Sequence, residues 1–570
     1  MHHTHHRRRA HRLAACTALA LGMGLIPAGP VFAGPVSAAV AAPLADSPAA
    51  QASTATGAKP RFDRDGDGRS DRLHRSAATG KLTVVLSSTG TSAPFSIGAN
   101  DLQGAVPKEI LSADDLWGTD APELLTLHSD GALQMHSTVS PTSTDKALVW
   151  QGGGWHIYNK VLAPGDLTKD GFQDLLARTP DGTLYLYAAK GTAFDYTGPF
   201  KTRVKVGGGW QIYDQLVGAN DLDGDSIADL VARTLAGDLY FYKGTGSATA
   251  PFKARVRIGG GWNTYNQIIG VDDLDGDRKA DLLARTYGGA FYRYLSTGGG
   301  KFATRTYIGG GGQNLSYHLG QGGVPAYGKH NLLAVDKAGT AFTYGTQADG
   351  KFAARRQYGG TGEHVHDVWR LTNGYGLDEA DQAVVLTAYN PGLSSDRGDV
   401  SDSPDFYGKY AETVSPGDVT NDGKGDIIGL DAWGNLFLHA GLKYRVPPRV
   451  SDTAVKVGTG WHAELLVAPG DVTGDGRPDL ITRYDNRLYV HAGTGSAKTP
   501  FAARVLIGAG WSTYEHLAAP GDMNGDGRAD LVGVTPGGDV YRYAATGLGG
   551  TATFTARVKI ATGWKYDHVS

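Results

Sequence analysis

From Arg61 onward the chain alternates short apolar runs with turns rich in glycine and aspartate. Leu184-Tyr185-Leu186-Tyr187 and Leu239-Tyr240-Phe241-Tyr242 are β-rich runs bounded by Asp-Gly or Ala-Gly turns, the pattern of half-buried strands between tight reversals. No stretch in this region keeps an apolar stripe at helical spacing for three turns. One order of segments recurs: Gly-Gly-Gly-Trp-x-x-Tyr, a Leu/Val pair, a nine-residue acidic loop, Asp-Leu-Leu-Ala-Arg-Thr, a glycine turn, Leu-Tyr-x-Tyr, and Phe-x-x-Arg-Val-x-Ile-Gly. That order predicts four short strands per unit.

The acidic loops begin at Asp63, Asp166, Asp221, Asp273, Asp418, Asp471 and Asp522. Asp221 and Asp273 are 52 residues apart, Asp418 and Asp471 53, and Asp471 and Asp522 51. The 145 residues between Asp273 and Asp418 leave room for nearly three units, two of them decayed. A repeat of this length with four strands each predicts β-propeller blades. Worn copies at Asp115 to Glu123, Gly309 to Tyr344 and Gly359 to Leu386 bring the expected number to nine or ten. The last residues, Gly563 to Val569, read as an opening strand whose loop never follows, and the first unit begins at Asp63 without one. Joining them would complete a blade from both termini in one large ring. Rings usually hold about four to eight blades, so two consecutive rings of about five, the first closed by Gly309 to Leu319, fit the same spacing.

The expected fold is therefore all-β, a propeller of four-stranded blades with N-/C-terminal strand closure. Clear repeats run over 59–320 and 416–570, with degenerate repeats over 321–415. Ahead of them, Arg7, Arg8, Arg9 and Arg12 precede an apolar stretch from Leu13 to Ile26 with small-residue cleavage candidates at Ala33 and Ala38. Residues 1–41 read as a secretory signal peptide and 42–58 as an Ala/Ser/Thr/Pro linker. The apolar run is broken by Pro27 and Pro30 and is short for a membrane span. Cys16 lies near the start of the apolar stretch rather than after it, against a lipid anchor. The expectation is a secreted, extracellular protein with no membrane span in the mature chain.

Composition narrows this further. Glycine occupies 83 of 570 positions without a collagen period, which suits a chain dominated by turns. A single cysteine excludes an internal disulfide. Lys+Arg number 54 and Asp+Glu 57, a formal charge of −3, so no global basic excess points to nucleic acid.

The loops carry the clearest chemistry. Carboxylates at positions 1, 3, 5 and 9 repel one another unless a cation lies between them, and hard oxygens favour calcium. Position 7 would contribute its backbone carbonyl. The first loop offers Asp63, Asp65, Asp67, Arg69 and Asp71; the second Asp166, Thr168, Asp170, Phe172 and Asp174; the third Asp221, Asp223, Asp225, Ile227 and Asp229; the fourth Asp273, Asp275, Asp277, Lys279 and Asp281. The later three offer Asp418, Thr420, Asp422, Lys424 and Asp426; Asp471, Thr473, Asp475, Arg477 and Asp479; and Asp522, Asn524, Asp526, Arg528 and Asp530. Thr168, Thr420, Thr473 and Asn524 are neutral third ligands. A helix-flanked EF-hand needs Glu at position twelve, where His74, Ala232 and Thr482 stand. The competing reading is turn chemistry alone, in which aspartate caps its own backbone. Nothing at recurring spacing supplies a nucleophile or general base, so the expected calcium is structural, at several sites.

These residues carry a resemblance. Asp-x-Asp-Gly-Asp-Gly-x-x-Asp followed by Asp-Leu-Leu resembles the FG-GAP or VCBS repeats of integrin-α-like propellers, and the Gly-Gly-Trp entry is similar to blades of tachylectin-type lectins. The resemblance implies a calcium-stabilised propeller used in adhesion or ligand binding.

Trp155, Trp210, Trp262, Trp461 and Trp511 each follow a glycine-containing turn, and all but Trp461 have a tyrosine three residues on. Exposed, they would be sugar-stacking platforms; packed, they would be shared core between blades. Arg397-Gly398-Asp399, His330 and the run Glu363 to Asp367 lack supporting context, and no Gly-x-Ser-x-Gly, His-Glu-x-x-His or Walker loop occurs. The expected function is recognition of carbohydrate or cell-envelope polymer through blade-face loops. A secreted enzyme at the channel mouth and an adhesin with an extracellular protein partner remain the alternatives.

Overall fold

In the computed structural model the described residues are 58–76, 81–95, 109–112, 116, 122–128, 131–137, 148–191, 197–320, 331–347, 349–358, 365–370, 383–387, 394–395, 398–399, 409–442, 451 and 453–569. The stretch read as a signal peptide, nearly all of the linker, Asp115, His330 and the side chains from Gly359 to Leu386 and around Arg397 lie outside them.

Every described element is a β-strand or a three-residue 3-10 turn. The strands form as their side chains alternate: in Leu184–Tyr187 and Leu239–Tyr242 the first and third residues are buried and both tyrosines half-exposed. The second strand of each unit reads differently. Asp174–Arg178 and Asp426–Leu430 are buried along their whole length, because neighbouring blades cover both faces.

Among the described residues nine four-stranded antiparallel sheets, one five-stranded sheet and a two-stranded ribbon result, with consecutive strands pairing in order except at the two closures. A typical blade runs Tyr213–Asn220, Asp229–Thr234, Leu239–Tyr242 and Val256–Gly259. Closure follows the two-ring alternative. Leu315–His318 pairs with Arg72–Ser76 and completes the N-terminal blade, while His568–Val569 pairs with Asn331–Val335. The propeller class therefore holds, but the two termini do not share a blade as the single-ring reading expected. Gly312 stands where other units have tryptophan, and a Cβ there would lie 2.5 Å from the Phe291 ring, so this closing unit lacks its most visible marker.

Blades meet through apolar side chains. Leu125, Leu127, Leu133 and Met135 of one blade pack with Trp155, Tyr158, Leu175 and Ala177 of the next. The connecting turn is set by glycine: Gly154, Gly209, Gly261 and Gly510 have φ of 89°, 88°, 82° and 93°, a region L-residues avoid. The following tryptophan N–H donates to a turn carbonyl of the preceding blade, as Trp155 does to Gly131 and Trp210 to Gly182, each at 3.0 Å.

Candidate metal loops and blade surfaces

All seven acidic loops share one geometry. The first carboxylate caps its own turn: Asp63 accepts N–H bonds from Gly66 and Gly68 at 2.8 Å and from Asp67 at 3.2 Å. The ninth carboxylate ties the loop to the far side of its blade. Asp71 accepts from Arg64 N–H at 2.9 Å and Ser87 N–H at 2.8 Å; Asp229 does so from Leu222 and Gly244, and Asp530 from Met523 and Ala545. Turn chemistry is thus realised. It also leaves capacity, since a carboxylate offers about four acceptor sites; Asp63 uses three on backbone and Asp71 two.

Asp63, Asp65 and Asp71 bring carboxylate oxygens within 4.8 Å of one another, as do Asp221, Asp223 and Asp225, and Asp273, Asp275 and Asp281. Asp67, Asp229 and Asp277 stand outside those groups. In the other four loops, with Thr168, Thr420, Thr473 or Asn524 at position three, no three carboxylates come that close. The donor set fits a hard cation taking six to eight oxygens: Asp63, Asp65 and Asp71 would hold it in the first loop.

The ninth aspartates are buried, six of them fully. Burial, opposed by their backbone hydrogen bonds, pushes Asp71 up to about 6, Asp174 and Asp281 up to about 7, and Asp229 and Asp426 up to about 8. A bound cation would favour their ionised form.

The seventh residue was expected to act only through its carbonyl. In four loops its basic side chain also pairs with the fifth carboxylate, Lys279 with Asp277 and Lys424 with Asp422 at 2.7 Å, Arg528 with Asp526 at 2.8 Å and Arg477 with Asp475 at 3.4 Å, whereas Arg69 donates to the Leu274 carbonyl at 3.1 Å. Lys243, from the third strand, pairs with Asp223 and Asp225.

The loops also join neighbouring blades. Ala228 N–H donates to Asp166 O at 2.9 Å, Ala280 to Asp221 O at 2.7 Å and Ala529 to Asp471 O at 3.3 Å. Two loops of the second ring lie against the first: Asn266 Nδ2 donates to Asn524 O at 2.7 Å and Gln267 Nε2 to Gly525 O at 2.6 Å, while Asn159 Nδ2 reaches Asp475 O at 3.4 Å.

Four of the five candidate tryptophans are core, and Trp461 is half-buried. Trp155, Trp262 and Trp511 are 7% exposed and Trp210 8%, and each is covered by a tyrosine from the third strand of the blade it opens, as Trp210 is by Tyr242 at a centroid distance of 4.8 Å, with the preceding blade packed beside it. Trp461 stacks on His491 at 4.4 Å. Their faces are not sugar-stacking platforms, because closing the blade interface covers them.

Two features were not singled out from sequence. The first is Arg61 in the middle of the first ring. Its guanidinium donates to the carbonyls of Ala163, Gly218 and Gly270, at 3.2, 2.9 and 2.8 Å, and its Nε to Asp272 at 2.9 Å. With Ile110, Leu162, Ile269 and Leu319 it lines a cavity of about 90 Å³. The second is the arginine of Phe-x-x-Arg, visible in sequence as a recurring letter. It sits exposed just ahead of the outer strand in contact with tyrosines, as Arg203 does over Tyr185.

Among the described residues, no helix is long and apolar enough to cross a membrane. A family model described as FG-GAP-like repeat matches residues 166–232, 221–284 and 471–533. No curated protein matches the chain. Among solved structures, the BP39L lectin from Burkholderia pseudomallei is similar at 11% identity and a TM-score of 0.25, covering 80% of this chain and 99% of that one. At that identity and score the likeness says nothing of what this chain binds. The matched segments each hold acidic loops between blade strands, so the chain carries FG-GAP-like repeats on a β-propeller fold.

Proposed function

We propose that this is a secreted, calcium-stabilised binding propeller that recognises carbohydrate or cell-envelope polymer through surfaces repeated from blade to blade. The observation that carries the reading is recurrence. The same outward side chains return about every 52 residues on a rigid frame, as Arg203, Arg255 and Arg305 do, and a repeated surface suits a repeating ligand held by many weak contacts. Stacking on the recurring indoles is not part of this reading, since Trp155, Trp210, Trp262 and Trp511 are interior.

Calcium in the acidic loops would brace strands and neighbouring blades together. Extracellular sites of this kind bind at about 10⁻⁴ to 10⁻³ M, so about 2 mM calcium would stabilise by roughly 0.6–1.8 kcal/mol per loop. Export through residues 1–41 would place the protein where such calcium is available. Catalysis at the first ring's channel mouth is not favoured, because the Arg61 side chain is committed there to three carbonyls and Asp272.

A screen of glycans and cell-wall polymers against the mature chain, with calcium and with EDTA, tests the reading while thermal unfolding is followed in parallel. Binding and melting temperature that fall together on chelation support it. A lowered melting temperature with no polymer bound keeps the metal and removes the ligand class; a melt unchanged by chelation removes the metal.

A further inference from the structure

We propose that the outer rim carries an oxyanion-binding site on each of five blades, a guanidinium set against a tyrosine pair, and that these sites take the acidic groups of an anionic polysaccharide. The proposal rests on the polymer-binding reading and narrows its ligand.

The first site shows the construction. Arg203 is exposed, with its guanidinium carbon 4.4 Å from the Tyr185 ring centroid. Its Nη1 donates to the Tyr158 hydroxyl, which lies 2.5 Å from the Tyr187 hydroxyl. Tyr185 and Tyr187 are two residues apart on one strand, so the pleat turns both to the same face. The triad recurs as Arg255 with Tyr213 and Tyr242, Arg305 with Tyr265 and Tyr294, and Arg557 with Tyr514 and Tyr543. It returns a fifth time where the C-terminal strand closes the second ring, as Arg355 with Tyr566 and Tyr344.

A count of hydrogens indicates the ligand. Each tyrosine pair has two O–H hydrogens and uses one in its mutual bond, which leaves one to donate. The arginine gives Nη1 to the pair and keeps its Nε–H and Nη2–H edge, the fork that matches a carboxylate or sulfate. Stacking on the ring holds that edge in place before any ligand arrives. Among the described residues none of these five arginines has a carboxylate partner, whereas Arg257 pairs with Asp238 and Lys559 with Asp539 on the same outer strands. The site offers donors and positive charge, and asks for acceptors and negative charge.

Charged outer strands also keep sheet edges from pairing with other chains. Lysine would serve that purpose and needs no tyrosine pair behind it. Nucleic acid is disfavoured by the net charge of −3 and by acidic loops on the same blades.

The test is binding of the full mature chain to dextran sulfate, carboxymethyl dextran and unmodified dextran, which share a backbone and differ in charge and anion type. At about 150 mM salt, the two charged polymers are expected to bind and neutral dextran not. The triple variant Arg203→Gln, Arg255→Gln, Arg305→Gln should lose about tenfold or more in affinity, the sum of weak contacts being what holds a polymer. The triple variant Lys253→Gln, Lys301→Gln, Lys498→Gln removes the same charge at exposed positions outside the triads and should lose less than about threefold. Equal losses from both would overturn the site in favour of general charge, as would wild-type binding by the arginine variant or preferential capture of single-stranded DNA. Should the triple variant fold poorly, the single variants and Tyr187→Phe, which removes only a hydroxyl, give the same comparison at smaller steps. Neutral glycan binding that survives the arginine variant would leave the polymer reading standing without this inference; no binding to any polymer would remove both.

Discussion

Arg61 and Asp272 form a buried ion pair at 2.9 Å across the middle of the first ring, 211 residues apart in the chain. Asp272 also accepts the Arg61 backbone N–H at 2.7 Å and Asn220 Nδ2 at 2.7 Å, so its charge is fully committed, and the arginine holds its carboxyl below the usual range despite burial. Arg61 precedes the first blade and reaches inner strands of three others. Removing one partner leaves the other charged and dry, so Asp272→Ala is expected to cost about 3–5 kcal/mol. Urea unfolding measures this; a loss below about 1 kcal/mol would mean that the pair does not close the ring.

Residues of one acidic loop should separate by role. Asp281→Ala removes the acceptor for Leu274 N–H and Ser296 N–H, two buried bonds that cost about 1–3 kcal/mol each when orphaned, with or without calcium. Asp275 is exposed and contributes mainly to the cluster with Asp273 and Asp281. Asp275→Asn should leave the chelated protein unchanged and reduce only the increment gained from calcium. Melting curves of both variants in EDTA and in calcium decide this, and identical behaviour would remove the distinction.

The buried ninth aspartates set the pH dependence. Their folded values of about 6 to 8 lie above the ordinary value of 3.8, so the folded apo chain holds those protons more tightly than the unfolded one. That contribution is fully present below about pH 3.8 and is lost as pH rises through about 6 to 8. A cation acts in the opposite sense by favouring the ionised carboxylates. In EDTA the denaturation midpoint should therefore fall between pH 5 and pH 8, and the gap between calcium and EDTA curves should widen over the same interval. A gap that is constant or absent would count against cation binding through these groups.

The tryptophans give a stability prediction in place of a binding one. Trp210→Ala opens the contact with Tyr213, Tyr242 and Phe252 and should cost about 3–5 kcal/mol. Affinity for polymer, measured at a temperature where the variant is folded, should change less than about threefold.

Much of this architecture was legible in the chain because turn chemistry and strand alternation are local. The period, the four strands and the loop carboxylates follow from Asp-Gly turns and from runs such as Leu184 to Tyr187. Ring closure was less legible: the strand Leu315–His318 follows Gly312 rather than a tryptophan, and its partner Arg72–Ser76 lies some 240 residues away. Both fates of the tryptophans were visible as alternatives, and only the approach of the next blade decides between them. Arg61 gave no local signal, since its partners are carbonyls of other blades. Arg203 and its equivalents stood in a repeated motif, but the tyrosine pairs behind them come from two different strands.

The most direct test of the account is the affinity of the mature, calcium-loaded chain for a charged dextran of increasing length. Recognition through surfaces repeated from blade to blade predicts affinity rising by about 10² from short oligomers to chains long enough to span several blades. Affinity that is independent of length, or no binding at any length, would contradict it.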